Sequence, residues 1–183
     1  MSLTAHKFYG LNGIGLLIKR RNLALEPLIH GGESTTIYRS GTPTVALASS
    51  LACALDLAVT DLPGRVDHVA KLNAELRAAL STYPLVRINS PDHAIPHVLN
   101  LSVRNVKGTV FQRELDAKGV CVSVKSACSS DGLPSRAVFA VSRDRRNALS
   151  SWRISLSHLT TEDEIKAFLQ AFDVCYRELT AVH

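Results

Sequence analysis

The chain has 183 residues, of which 46% are hydrophobic and 20% charged, and its formal net charge is +5. That length suits one large domain or two small ones, with ample apolar side chains for a core. No apolar run reaches the roughly 18 residues of a membrane span, and Met1-Ser2-Leu3 runs into polar Thr4, His6 and Lys7 rather than into the apolar stretch of a secretory leader, so a soluble, cytoplasmic protein is expected.

In chain order, Thr4-Ala5-His6-Lys7 reads as a loop before a Gly-rich turn, Gly10 to Gly15. Leu16-Leu17-Ile18 predicts a short strand and Leu23–Leu28 a second. A polar loop rich in Gly, Ser and Thr covers His30 to Thr42. The pattern Leu47, Leu51, Ala54, Leu55, Ala58 then predicts a well-buried helix over Thr44–Thr60. Leu62-Pro63-Gly64 marks a boundary. Beyond it Val66, Val69, Leu72, Leu76 and Leu80 recur at helical spacing, and Pro84 closes that element. Strands are predicted at Leu85–Asn89, Val98–Val103 and Val120–Val124, with a short helix over Val110–Lys118 stopped by Gly119. A loop carries Ser126-Ala127-Cys128, and Pro134 opens a helix. Trp152–Leu156 is the last strand. Thr161-x-x-Glu164 starts a final helix whose face runs Ile165, Phe168, Leu169, Phe172, Cys175, Tyr176. Strands alternating with helices after residue 84 predict a small α/β domain.

Charge and cysteine patterns are less specific. Arg143-Asp144-Arg145-Arg146 and Lys19-Arg20-Arg21 are basic clusters, yet no aromatic residue interleaves them, which favours a solvated surface over nucleic-acid binding. The four cysteines form no C-x-x-C pair and no zinc spacing, so they are expected as free thiols with no metal site. Cys53, Cys121 and Cys175 lie among apolar residues and read as core. Cys128 lies in a Ser/Gly/Asp-rich loop, where a thiol is exposed, and Lys125 three residues earlier favours its thiolate.

Six blocks in order carry a stronger signal: Thr4-x-His6-Lys7-x-x-Gly10-x-x-Gly13-Ile14-Gly15, His30-Gly31-Gly32, Arg39-Ser40-Gly41-Thr42, Ser126-Ala127-Cys128, Trp152-Arg153-Ile154-Ser155-Leu156, and the helix start at Leu159–Ile165. Together they resemble the class V aminotransferase family, specifically the cysteine desulfurases of the NifS/IscS type. The resemblance implies an α/β, pyridoxal-phosphate-dependent transferase of fold type I. Residues 1–62 would be a remnant of the large cofactor-binding domain, and 63–183 the small C-terminal domain with the cysteine loop. It makes Lys7 the Schiff-base lysine. Thr4 becomes a phosphate contact, His6 a motif position beside the cofactor, and Thr42 a residue that reaches the phosphate across a dimer interface. Cys128 becomes the sulfur acceptor and Arg153 the clamp on the substrate carboxylate. A guanidinium suits bidentate carboxylate binding, and inside an otherwise apolar strand it is costly unless an anion pairs with it.

The implied reaction converts L-cysteine to L-alanine and passes sulfur through a Cys128 persulfide to an acceptor protein, for iron–sulfur assembly or thiolation. The family's N-terminal half supplies the carboxylate on the pyridine nitrogen, the stacking ring and most phosphate contacts. The chain is therefore expected as a truncated form, inactive alone and binding pyridoxal phosphate weakly or not at all. Residues 13–28 are expected to leave edges or apolar faces exposed, giving self-association or partial disorder of residues 1–60, a dimer being the family state, with no membrane or nucleic-acid partner. A non-catalytic interaction module, a class V aminotransferase and a selenocysteine lyase are the alternatives. Glu33-Ser34-Thr35 after His30-Gly31-Gly32, and Val124-Lys125 before the cysteine block, depart from the commonest family pattern and suggest a side branch.

Overall fold

The computed structural model describes residues 1–32, 36–125 and 133–181. They form two compact units, Met1–Leu62 and Pro63–His183. No single helix among the described residues is long and apolar enough to cross a membrane.

In the first unit, β1 (Ser2–Thr4) pairs antiparallel with β2 (Gly15–Leu17), with Thr4 opposite Gly15. A 3-10 turn, Ala5–Phe8, follows β1 directly, where the sequence suggested only a loop. The turn is tied down by its backbone. Ala5 N donates to Ile14 O at 3.2 Å, Gly10 N to Ala5 O at 2.9 Å, and Leu11 N to Ser50 Oγ on α1 (Val45–Thr60) at 3.1 Å. Ala5 is fully buried, and a Cβ on Gly10 would meet Ala5 Cβ at 2.9 Å and Ala54 Cβ at 3.2 Å. Only glycine lets the chain pass there.

Two expectations for this unit fail. Residues 23–28 form no strand, because no neighbouring strand takes their backbone groups. Instead Lys19 Nζ stitches the preceding turn, its shortest bond reaching Leu23 O at 2.8 Å. Helix α1 is present but buries only Leu51 and Ala54, while Val45, Leu57 and Val59 are exposed. A unit this small covers one stripe of a helix and no more. Leu16, Leu17, Ile18, Leu23, Leu25 and Leu28 also stand exposed, so the region does carry open apolar surface.

The second unit holds a proper core. Helix α2 (Leu62–Leu80) begins at the predicted boundary, with Pro63 tolerated in its first turn. Strands β3 (Val86–Ile88), β4 (Val98–Val103) and β5 (Ser151–Ser155) form an antiparallel sheet in that order. On one sheet face Leu99, Leu101, Val103, Trp152 and Ile154 meet α2, α3 (Gly108–Asp116) and α6 (Glu162–Thr180). Phe172 lies at the centre, 5.0 Å from the Tyr83 ring and 5.2 Å from Phe111, which stacks on Trp152 at 5.1 Å. Burying rings at this density is the main stabilising term for the unit.

Local signals explain most of the element ends. Thr161 and Glu164 form the reciprocal cap read from the sequence: Glu164 N donates to Thr161 Oγ1 at 3.2 Å and Thr161 N to Glu164 Oε2 at 2.8 Å. Helix α3 starts at Gly108, two residues before its predicted start, at a position where any side chain would collide with the Ser151 carbonyl. Helix α4 (Arg136–Ser142) is capped by Ser135, and α5 (Arg145–Ser150) by Asp144. Residues 120–124 do not form the predicted strand. Only Ser123 pairs, with Arg153 on the free edge of β5.

Candidate functional site

Strand alternation decides what β5 offers for chemistry. Trp152 and Ile154 point into the core, so Arg153 between them lies on the opposite face. That face is polar. Asn100 sits opposite Arg153, and Ser102 opposite Arg87 of β3. The expectation that Arg153 is buried in an apolar strand therefore fails. It is half-buried, and its Nε donates to Ser155 Oγ at 3.0 Å. Among the described residues no carboxylate pairs with it.

Arg153 opens into a cavity of about 640 Å³ whose charged lining residues, among the described residues, are all cations: Arg87, Lys125, Arg136 and Arg153. Its floor is a fixed polar network. Asn89 Nδ2 donates to Asn100 Oδ1 at 2.9 Å and to Ser102 Oγ at 2.8 Å, and buried Asn147 Nδ2 donates to Asn89 Oδ1 at 2.9 Å. The rim is held from α2, where Arg77 bonds the carbonyls of Ser90 and Pro91 at 3.0 and 3.2 Å. A rigid, cationic, partly apolar cleft of this kind binds small anions and orients them.

Cys128 lies outside the described residues, as do its neighbours from Ser126 to Gly132. The two flanks of that segment are described, and both line the cavity through Val124, Lys125, Pro134 and Ser135. Each flank is anchored. Arg153 N donates to Ser123 O at 2.7 Å and Ser123 N to Arg153 O at 3.1 Å, while Ser135 N donates to Ala148 O at 3.2 Å. The other cysteines divide differently from the expectation. Cys175 is buried, which raises its thiol pKa, but Cys53 and Cys121 are exposed. Cys53 sits on the uncovered side of α1, and Cys121 precedes the single bridge at Ser123, so neither finds a core to enter.

In the first unit, Thr4 ends β1 half-buried, and His6 and Lys7 project exposed from the 3-10 turn. The Lys7 amine has no hydrogen-bond or ion-pair partner among the described residues. Arg39-Ser40-Gly41-Thr42 folds back on the His30 block, with Ser40 Oγ donating to His30 O at 2.8 Å and Gly41 at φ 102°. Thr42 is exposed, and no hydrogen bond joins it to Thr4, His6 or Lys7. Glu33, Ser34 and Thr35 lie outside the described residues.

The sequence reading missed Arg87, Arg136 and the Asn89–Asn100–Asn147 network. The alternation Val86-Arg87-Ile88 and Leu99-Asn100-Leu101-Ser102 was the available signal, since it puts Arg87, Asn100 and Ser102 on one sheet face. Among the described residues no group of His, Cys, Asp or Glu is arranged to hold a metal ion.

Comparison with known proteins agrees across three lines. The family model described as Aminotransferase class-V matches residues 1–168. Cysteine desulfurase IscS of Dictyoglomus turgidum is 31% identical over 185 residues, covering 100% of this chain and 47% of its own length. The same-named enzyme of Vibrio cholerae is 36% identical over 186 residues, covering 100% and 46%. Among solved structures, a NifS-like protein superposes with a TM-score of 0.84 at 31% identity, covering 100% of this chain and 46% of its own. A NifS-like protein from Rickettsia africae gives 0.84 at 29%, covering 96% and 46%. The chain spans about half the length of the curated relatives it matches.

Proposed function

The chain belongs to the class V aminotransferase family, and we propose that it carries the cofactor lysine, the carboxylate clamp and the sulfur-accepting thiol of an L-cysteine desulfurase. The observation that carries the reading is the cavity around Arg153: a guanidinium on the sheet with no carboxylate partner among the described residues, where the described charged lining is cationic, with both flanks of the Cys128 segment in the wall. An amino-acid carboxylate is the anion this geometry fits.

The family depends on pyridoxal phosphate, and the described residues suit its lysine end. Lys7 offers an exposed primary amine with no carboxylate beside it, on a turn fixed by Ala5, Gly10 and Ser50, and the Thr4 hydroxyl stands at the head of that turn. When bound, the cofactor supplies an electron sink for bonds broken at the amino-acid carbon atoms. This chain's residues do the rest. Arg153 binds the substrate carboxylate. The Lys7 amine moves protons at the α-carbon. The Cys128 thiolate attacks the substrate sulfur, and the electrons of the carbon–sulfur bond return to carbon, which takes up a proton to give alanine. The products are alanine and a Cys128 persulfide, from which an acceptor protein takes sulfur for iron–sulfur assembly or thiolation.

His6 flanks the lysine, and Thr42 is the residue that meets the phosphate in a dimer. Residues 1–62 serve as part of the large cofactor-binding domain and 63–183 as the small domain. By itself the chain turns over slowly or not at all and binds the cofactor weakly, because the remaining contacts belong to the half of the fold that it does not span. The test is reductive trapping. The chain is incubated with pyridoxal phosphate, reduced with borohydride and mapped by peptide mass spectrometry. Label concentrated on Lys7 and lost in Lys7→Ala supports the reading; label spread evenly over the lysines contradicts it.

A further inference from the structure

A second concavity, of about 400 Å³, lies beyond Arg87 from the first and serves no step of the proposed reaction. Its cationic lining is Arg87, Arg104, Lys107 and Arg146, against a single acid, Asp144. Three elements bring these residues together. Arg104 follows β4 and is fixed by its N–H to Leu85 O at 2.8 Å. Asn105, in the left-handed region at φ 67°, turns the chain so that Lys107 caps α3 at the same mouth. Arg146 lies in the first turn of α5. The floor is already satisfied, since buried Ser102 Oγ donates to Asn147 O at 3.1 Å. Asp144 accepts from Asn147 N at 3.0 Å as the cap of α5, and among the described cations it pairs with Arg87, at 3.7 Å. Arg104, Lys107 and Arg146 have no ion-pair partner among the described residues, and all three are exposed.

We propose that this concavity docks a carboxylate-rich segment of a partner protein. Three unpaired cations converging on one hollow call for an occupant with several negative charges. Among the described residues the lining holds no aromatic ring on which a base would stack, while Leu85, Val86 and Leu149 offer apolar wall to a peptide's aliphatic stems, so an acidic peptide fits better than a nucleic acid. Arg87 lines both cavities. An acidic segment seated here competes with Asp144 for that guanidinium and lies against the wall of the Arg153 cleft. The inference stands whether or not the proposed reaction is correct.

The probe is a short fluorescent oligoglutamate, followed by anisotropy with the full chain at low and raised salt, beside a single-stranded oligonucleotide of matched charge. Oligoglutamate should bind more tightly than the oligonucleotide and weaken with salt. Arg104→Ala/Lys107→Ala/Arg146→Ala should weaken it about tenfold or more, and Lys107→Ala or Arg146→Ala alone about threefold, which keeps the test open if the triple variant misfolds. Lys71→Ala/Lys118→Ala/Lys166→Ala removes the same charge outside the concavity and should change affinity by less than about twofold. Absence of peptide binding at low salt, equal loss in both triple variants, or tighter binding of the oligonucleotide would overturn the proposal.

Discussion

Replacing neighbouring residues of β5 should have very unequal consequences for stability. Trp152 is fully buried, stacked on Phe111 and 6.1 Å from the Phe172 ring, so Trp152→Ala removes a large side chain from a packed aromatic cluster. Such truncations cost about 3–5 kcal/mol. Arg153→Ala, one position on, gives up a side-chain hydrogen bond to Ser155 Oγ, the one it makes among the described residues, at a half-exposed site. That loss is worth about 0.5–1.5 kcal/mol. Trp152→Phe should cost less than Trp152→Ala because a ring remains, and losing the indole N–H, which has no partner among the described residues, adds nothing to its cost. Urea denaturation followed by far-ultraviolet circular dichroism reads all three variants on one scale, even where the only tryptophan has been removed. A cost for Arg153→Ala that matches Trp152→Ala would show that the arginine is part of the core and would remove the basis for the cleft.

Two further outcomes follow from the environments of single groups. Burial first, then the positive potential of Arg65, His68 and His97, holds His158 below its ordinary pKa. The unfolded chain then binds that proton more readily, so stability present above about pH 6.5 drains away as pH falls through the folded-state value. His158→Gln should flatten the drop in urea midpoint between about pH 7 and pH 5, and an unchanged profile would refute the assignment. For the thiols, alkylation of the native chain should modify Cys53 and Cys121 well before Cys175, whose thiol is buried and whose pKa is raised. Cys175 reacting as fast as the other two would contradict its placement in the core.

The sequence carried the second unit better than the first. Helices α2 and α6 are long, have one buried stripe each, and α6 begins with a side-chain cap written as Thr161-x-x-Glu164, so periodicity and capping agree. Residues 1–28 gave weaker guidance. Strand β1 has three residues and exists only through pairing with β2, a non-local fact no window reveals, while 23–28 have strand composition but no partner. Val120–Val124 fails for a related reason: one bridge to Arg153 suffices to anchor the chain, and no ladder forms. Composition also misled for Cys53 and Cys121, since apolar neighbours in sequence do not guarantee a covering element in space. Among the candidate site residues, Lys7 and Arg153 came from motif resemblance. Arg87 and Arg136 did not, because they are brought to the cleft by sheet register and by α4.

The desulfurase reading is tested most directly on a chimera in which this chain follows the N-terminal half of a relative such as the Vibrio cholerae enzyme. The chimera is supplied with pyridoxal phosphate and L-cysteine, and its peptides are mapped by mass spectrometry as alanine is measured. The account predicts one added sulfur on Cys128, alanine formed in step with it, and loss of both in Cys128→Ser. A folded, cofactor-bound chimera that leaves Cys128 unmodified, or that keeps releasing sulfur as the serine variant, would contradict it.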